Sequence, residues 1–228
     1  MVSTLLNGLV SYWKLDTNNA TQPDEVGGND GTVTGATFTS SGKIGGAYSF
    51  DGTGDYINIA TTNGLDTPSN ITISAWIKTS DLNGALFDKR DSSSDGYGMF
   101  IFNGYLHLRI NANIQNSTGT YISDNVWHYV VATYDGTYIR LYVDGTIDDT
   151  PLNIGLSTIN TPHDAVIGYL FDLSTTIWNY IGLIDEVAIW NRALTTDEIT
   201  ELFNGGEGNQ YPFTMADSDN AIFHSMNF

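Results

Sequence analysis

The sequence predicts an all-β fold, a two-sheet antiparallel β-sandwich with one short helix near the carboxyl end. Three observations predict it. Asn-Gly and Asp-Gly dipeptides, which favour tight hairpin turns, occur ten times in the 228 residues. Short segments rich in β-branched and aromatic residues lie between these turns, as expected for strands. No alternation of strand and helix patterns appears, which disfavours a doubly wound parallel sheet.

The predicted strands follow one another at hairpin spacing and cover residues 9–15, 47–50, 56–60, 71–78, 97–102, 105–111, 126–134, 138–143, 165–169 and 180–190. Several alternate between aliphatic residues and polar or aromatic ones, which places one row in the core and the other outside. In residues 105–110, the outer row consists of Tyr105, His107 and Arg109.

The last predicted strand carries an acid where an aliphatic residue is expected. Its core-facing row reads Ile181, Leu183, Asp185, Val187 and Ile189. A carboxylate on such a row is costly unless it finds hydrogen-bond donors or a cation. We therefore expect Asp185 to be buried and compensated.

A short helix is predicted directly after this strand. Thr195 and Glu198 form a capping box, and Asp197 and Glu198 suit the positive end of the helix dipole. Asn204-Gly205 then ends the helix. The sandwich domain is therefore assigned to residues 1–204, and residues 205–228 to a tail.

The tail is apolar for a chain terminus, with Phe213, Met215, Ile222, Phe223, Met226 and Phe228. Such a segment is expected to dock on another surface. Two alternatives stay open: the tail packs on its own domain, or it contacts a protein partner in an assembly.

Composition excludes several classes of function. The chain has 26 acidic and 8 basic residues, a formal charge of −18, so nucleic acid and anionic membranes are poor partners. No apolar run reaches transmembrane length, so no membrane insertion is predicted. The absence of cysteine excludes thiol catalysis and thiolate metal sites. The first seven residues lack a secretory signal, as expected of a virion component or of a protein whose signal has been removed.

Seven segments occur in a recognisable order between residues 9 and 203. They are LVSYWKLD at 9–16, GNDGT at 28–32, GKIGGAYSFDG at 42–52, ITISAWI at 71–77, WHYVVATYDG at 127–136, LYVDG at 141–145 and the block from Ile184 to Leu202. Together they resemble the laminin-G-like (concanavalin A-like lectin/glucanase) jelly-roll family. The resemblance implies a non-catalytic module that binds glycans or protein ligands, on secreted hydrolases, cell surfaces or virions. It also implies a structural calcium in many members.

Calcium prefers carboxylate, amide and carbonyl oxygens. By the resemblance, the loops after the first strands and the last long strand meet at one edge of the sandwich. The predicted calcium ligands there are Asp16, Asn29, Asp51 and Asp185. The alternative is that these side chains cap turns and bind backbone N–H groups.

Glycans are recognised by aromatic faces and by polar side chains that bond their hydroxyl groups. The outer strand rows and one polar loop supply the predicted ligand-binding residues: Trp76, Tyr105, His107, Arg109, Arg140, Tyr142 and Trp178. The alternative is that these residues fill the packing of the sheets.

Catalysis is not predicted. Glycanases that share this general fold carry alternating acids on one strand face. Here Asp185 and Glu186 are adjacent and are expected to point to opposite faces. The predicted function is therefore a binding or adhesion module for a glycan or surface polymer, extracellular or on a virion surface. The alternatives are a virion or appendage subunit that assembles through the tail and, less favoured, a glycanase.

Overall fold

The computed structural model describes residues 4–60, 64–66, 69–90, 95–155, 159, 163–170 and 178–213. Within these ranges the chain forms strands β1 (Leu9–Trp13), β2 (Thr21–Gln22), β3 (Gly31–Thr34), β4 (Thr37–Thr39), β5 (Ala47–Asp51), β6 (Tyr56–Ile59), β7 (Ile71–Lys78), β8 (Gly84–Arg90), β9 (Gly96–Phe102), β10 (Tyr105–Ile110), β11 (Asn113–Asn116), β12 (Trp127–Tyr134), β13 (Tyr138–Val143), β14 (Thr146–Ile147), β15 (Leu152–Asn153), β16 (Ala165–Ile167) and β17 (Ile181–Trp190). Helix α1 (Thr196–Phe203) follows β17, and short 3-10 turns cover Thr4–Leu6 and Asn204–Gly206.

The strands form two antiparallel sheets, which confirms the predicted sandwich. Sheet 1 has nine strands in the order β14-β13-β12-β7-β17-β5-β4, with β1 beside β17 and β15 beside β13. Sheet 2 has eight strands in the order β11-β10-β9-β8-β16-β6-β3-β2. All ten predicted strands are present. The longest strand absent from the prediction is β8, whose last three residues, Asp88, Lys89 and Arg90, do not follow an apolar pattern.

The main core lies between the sheets and uses the predicted aliphatic rows. Ile73 and Ile77 of β7, Leu108 of β10 and Leu141 of β13 are all fully buried there. Burying such a side chain stabilises the fold by about 1.5–3 kcal/mol. The two sheets are therefore held together mainly by aliphatic packing.

A second apolar cluster covers the outer face of sheet 1. Trp76, Tyr129 and Trp190 project from the strands, and helix α1 packs Ile199 and Leu202 against them. Thr195 and Glu198 form the predicted capping box, and Asn204 ends the helix with φ 49°. The helix is thus confirmed, and its apolar side closes the outer face of sheet 1.

The first part of the tail packs on the same face. Tyr12 contacts the ring of Tyr211 at 5.7 Å and the ring of Phe213 at 5.6 Å, and Gln210 Nε2 donates to Asp16 Oδ2 at 2.9 Å. Residues 214–228 lie outside the described residues. The tail is therefore attached to its own domain through Phe213, and the predicted assembly contact stays a prediction.

A β-bulge overturns the predicted facing of the last strand. The register between β17 and β7 shifts between Asp185 and Ala188, and Glu186 adopts φ 51°. The extra residue reverses the alternation, so Val187 faces the core while Asp185 pairs with Trp76 on the outer face of sheet 1. The predicted core row was therefore wrong at Asp185, although its side chain is fully buried as expected.

Candidate functional site

A cavity of about 420 Å³ opens on the outer face of sheet 2. Its apolar lining among the described residues consists of Ala85, Phe100, Phe102, Ile114, Leu170 and Trp178. Its polar lining consists of Arg90, His107, Arg109 and Asn116. Ligand pockets commonly have volumes of roughly 300–1,000 Å³ and combine apolar walls with a few polar groups.

Two adjacent strands form most of the cavity floor. Strand β9 buries Met99 and Ile101 in the core, so its alternate residues Phe100 and Phe102 project outward. Phe100 is paired with His107 of β10 in the antiparallel register. Directly opposite residues share a face, which is why these strands present their rings to the same space.

Trp178 forms one wall of the cavity. Its indole lies edge-on to the ring of Phe100, with centroids 5.8 Å apart, and 5.4 Å from the ring of Phe102. Its backbone carbonyl accepts the N–H of Ala85 in β8 at 2.8 Å. The three rings form an aromatic corner, and Phe102 is 40% exposed and open to a ligand.

His107 is neutral at physiological pH. Burial lowers the pKa of His107 to about 4, although hydrogen bonds with the backbone of Phe102 and the side chain of Asn116 act in the opposite direction. The imidazole stacks on Phe100 with centroids 5.7 Å apart. These two hydrogen bonds hold the neutral imidazole in place, so His107 contributes its ring to the cavity lining.

Arg90 is held by an acidic neighbour. Its Nε lies 2.5 Å from Asp88 Oδ1, and its guanidinium carbon lies 5.6 Å from the centroid of the Phe100 ring. Burial raises the pKa of Asp88 to about 6, whereas Arg90 and Arg109 oppose the rise. Asp88 is therefore mainly ionised at neutral pH and compensates the charge of Arg90.

The structure brings three of the predicted ligand-binding residues together, and they are His107, Arg109 and Trp178. Tyr105 faces the same side of sheet 2 but packs on Tyr121 at 5.8 Å, outside the cavity lining.

Three other predicted ligand residues lie on sheet 1 instead. Trp76 and Tyr142 are each only 3% exposed, in the cluster beneath α1, so they fill packing and present no surface to a glycan. Arg140 is paired with Asp135, with Nη1 2.5 Å from Oδ2. The predicted exposure of the outer strand rows is wrong for Trp76 and Tyr142, because helix α1 covers this face of sheet 1.

Sequence reasoning missed the other seven described lining residues: Ala85, Arg90, Phe100, Phe102, Ile114, Asn116 and Leu170. The alternation within residues 97–102 already places Phe100 and Phe102 opposite Met99 and Ile101, so that signal was present. Arg90 could not be found in the same way because β8 carries a register shift and three consecutive charged residues.

The predicted calcium ligands do not form one set. Asp51 Oδ1 caps the turn at Thr53, with the N–H 2.7 Å away, and Asn29 is buried with its side-chain amide donating to Ser11. Asp51 pairs with Ile181 at the start of β17, away from Asp185. No group of three or more acidic or histidine side chains in the described ranges is arranged to hold a metal ion. The four residues therefore do not fit a calcium site, and calcium binding stays a prediction.

Asp16 and Asp185 do lie close together, beneath the loop at residues 42–46. Asp185 Oδ2 accepts the N–H groups of Lys43 and Ile44 at 2.8 and 3.0 Å, and Asp16 Oδ1 accepts the N–H of Gly46 at 2.6 Å. Within the described part of the chain, Asp185 Oδ1 is buried without a hydrogen-bond partner. Backbone donors, and not a cationic side chain, thus compensate Asp185.

Glu186 lies on the same outer face as Asp185, contrary to the predicted opposite facing. Tyr12 and Gln210 both donate to its carboxylate. Burial is the largest cause that raises the pKa of Asp185 to about 9, and the negative charge of neighbouring Glu186 is the second. Burial also raises the pKa of Glu186 to about 8. The cavity that Glu186 lines has a volume of only about 10 Å³. Among the described residues, Asp185 is fully buried and Glu186 is only 3% exposed, so the acid pair offers almost no surface to a sugar ring.

A family model described as the concanavalin A-like lectin/glucanases superfamily matches residues 51–200. A search of curated protein sequences found no match. No helix in the described ranges has the length and apolar character needed to cross a membrane.

Solved structures with the same fold include two binding domains and one domain of an extracellular arabinanase. The binding domain of Paraclostridial Mosquitocidal Protein 1 matches with a TM-score of 0.72 and 21% identity over 89% of this chain and 53% of that chain. Domain 4 of AbnA, a GH43 extracellular arabinanase from Geobacillus stearothermophilus, in complex with arabinotriose, matches with a TM-score of 0.67 and 20% identity over 85% of this chain and 97% of that one. The ligand binding domain of botulinum neurotoxin serotype D in complex with N-acetylneuraminic acid matches with a TM-score of 0.66 and 18% identity over 87% of this chain and 51% of that chain.

These identities show a common fold and no more. The chain spans 53% of the mosquitocidal-protein domain and 51% of the neurotoxin domain, about half of each.

Proposed function

Because this chain belongs to the concanavalin A-like lectin/glucanase superfamily, we propose that it is a non-catalytic module that binds a glycan or surface polymer in the cavity of sheet 2. The observation that carries the proposal is the aromatic corner of Phe100, Phe102 and Trp178 beside polar side chains. Sugars have apolar C–H faces that pack on aromatic rings and hydroxyl groups that need hydrogen-bond partners. The cavity offers both kinds of contact.

Recognition requires little rearrangement of the protein. Phe100 and His107 project from paired strands, and their backbones are fixed by the sheet. A preformed site loses less conformational entropy when it binds than a flexible one. Trp178 and Phe102 supply the stacking surface, while polar side chains of the lining bind hydroxyl groups.

The arrangement of the acids supports a binding role without catalysis. Glycoside hydrolysis requires two carboxyl groups on either side of a bound sugar. Asp185 and Glu186 are buried beneath the loop at 42–46 and the tail, on the opposite sheet from the cavity. The described lining of the cavity itself contains no acidic residue.

The structural neighbours are consistent with the proposal. The names of two of them include a bound sugar, arabinotriose or N-acetylneuraminic acid, and one names an extracellular enzyme. We accordingly propose an extracellular location, and attachment to a virion surface stays a prediction.

Substitution of Trp178 tests the proposal. A glycan array with the purified chain identifies the bound sugar, and isothermal titration calorimetry then measures its Kd. Trp178→Ala removes one wall of the cavity and should weaken binding about 30-fold or more, since buried tryptophan contacts commonly contribute about 2 kcal/mol or more.

Tyr138→Ala is the matched control, because Tyr138 is a 37% exposed aromatic residue on sheet 1. It should leave Kd unchanged. Absence of binding across the array, or equal binding by Trp178→Ala and wild type, would contradict the proposed function.

A further inference from the structure

The cavity on sheet 2 differs in charge from the rest of the protein. The chain has 26 acidic and 8 basic residues. Two of the 8 basic residues, Arg90 and Arg109, line this one cavity, and its described lining includes none of the acids. Asp88 offsets the charge of Arg90 from behind the lining, so the charge of Arg109 remains in excess there, and in so acidic a chain this favours an anionic ligand.

Arg90 is largely buried, and contacts with neighbouring side chains hold it in place. Its side chain is only 8% exposed, its Nε is bonded to Asp88, and its guanidinium lies over the ring of Phe100. These contacts use the inner edge and one face of the group. The two terminal amino groups have no acceptor among the residues that the structure describes, and Arg90 lines the cavity.

The pair of Asp88 and Arg90 depends on a glycine in the next strand. A Cβ atom on Gly98 would lie 2.6 Å from Asp88 Oδ1 and 3.2 Å from Arg90 Nε. Any larger residue at position 98 would therefore displace the pair. Gly98 of β9 thus leaves room for a buried arginine held by Asp88, beside the buried ring of Phe100 and the exposed ring of Phe102.

We propose that the ligand of this cavity is an acidic glycan, and that Arg90 binds the carboxylate of one of its sugar residues. The inference rests on the proposed glycan-binding function and names the class of sugar. The planar guanidinium matches the two oxygens of a carboxylate, and both terminal amino groups can donate to them at once. A neutral sugar offers no charged acceptor to these buried donors, which favours the acidic ligand.

Paired oligosaccharides test the inference. Oligogalacturonate, oligoalginate and sialyllactose are each compared with their carboxyl-reduced forms by calorimetry, and a sulfated galactan oligosaccharide tests whether any anion suffices. At least one carboxylate probe should bind about 10- to 100-fold more tightly than its reduced form, as expected for a hydrogen bond to a charged group. Equal binding of every acidic probe and its reduced form, or tightest binding of the sulfated probe, would overturn the inference.

Substitutions locate the effect at Arg90. Arg90→Gln should remove the preference for the carboxylate form, while Arg140→Gln, at a surface arginine of sheet 1, should preserve it. Arg90→Gln leaves Asp88 buried without its partner, so the double variant Asp88→Asn/Arg90→Gln serves as a second test with no unpaired charge. Circular dichroism and thermal unfolding check that each variant is folded.

The outcomes separate the two proposals. If Trp178→Ala abolishes binding but Arg90→Gln and the double variant keep the carboxylate preference, the glycan site stands and the inference about Arg90 is wrong. If no acidic or neutral glycan binds wild type, both are wrong.

Discussion

At the scale of single residues, the acid pair Asp185 and Glu186 gives the fold an unusual pH dependence. Both carboxyl groups are buried, and both have raised pKa values, about 9 and about 8. In the unfolded chain they ionise near pH 4. Between about pH 4 and 8 the folded protein therefore holds protons that the unfolded chain has released, and the free energy of unfolding falls as the pH rises.

Asp185→Asn should reduce this pH dependence. The amide keeps the shape of the protonated acid and cannot ionise, so the variant should be more stable than wild type at pH 7 and its slope shallower by up to about 1.4 kcal/mol per pH unit. Urea unfolding between pH 5 and 8 measures both quantities. Asp164→Asn, at an exposed acid, is the control. An unchanged slope in Asp185→Asn would show that Asp185 is ionised in the folded protein.

The same measurements test calcium. If calcium binds at Asp185, wild type should be stabilised by calcium relative to chelator, and Asp185→Asn should lose that difference. Equal unfolding midpoints in calcium and in chelator would contradict calcium binding at Asp185. The N–H groups of Lys43 and Ile44 would then be the groups that stabilise its buried carboxyl.

At the scale of elements, sequence reasoning succeeded where alternation is regular. The rows of β10 and the capping box of α1 could be predicted because each depends on local spacing alone. The facing of Asp185 could not, because a bulge adds one residue without changing the composition of the strand. The burial of Trp76 could not either, since it depends on Phe203 of a distant helix, which stacks on it at 5.8 Å.

Only some of the cavity's lining residues could be predicted, because only some of them follow from local spacing. His107 and Trp178 were found from their positions in a strand row and a polar loop. Arg90 was missed because its burial depends on Asp88 in its own strand and on Gly98 in the neighbouring one. Pairing across strands decides such positions, and a single sequence does not specify it.

The described part of the tail, residues 205–213, packs on its own domain. Tyr211 and Phe213 pack on Tyr12, and Gln210 reaches the acid pair. Truncation after Gly205 should therefore lower the free energy of unfolding by about 3 kcal/mol or more through loss of buried aromatic side chains, whereas truncation after Phe213 keeps these aromatic contacts.

Light scattering on both truncated chains tests the assembly prediction. If residues 214–228 make the assembly contact, the chain that ends at Phe213 should become smaller in solution than wild type while it stays fully folded. An unchanged molar mass would exclude an assembly role for those residues under the conditions of the measurement.

At the scale of the whole molecule, the two outer faces of the sandwich differ in what covers them. The outer face of sheet 1 is covered by α1 and by the tail through Phe213, and its aromatic residues stabilise the domain. The outer face of sheet 2 keeps an aromatic corner and two arginines around an open cavity. The proposed glycan binding therefore uses only the outer face of sheet 2.

Chemical-shift mapping of the protein during glycan titration tests most directly whether the glycan binds in the cavity of sheet 2. Titration of the 15N-labelled chain with the tightest oligosaccharide should shift the indole N–H of Trp178 and the amides of β9 and β10, and should leave the indoles of Trp76 and Trp190 unchanged. Shifts centred on Trp76, the acid pair or the tail, with Trp178 unaffected, would contradict the account.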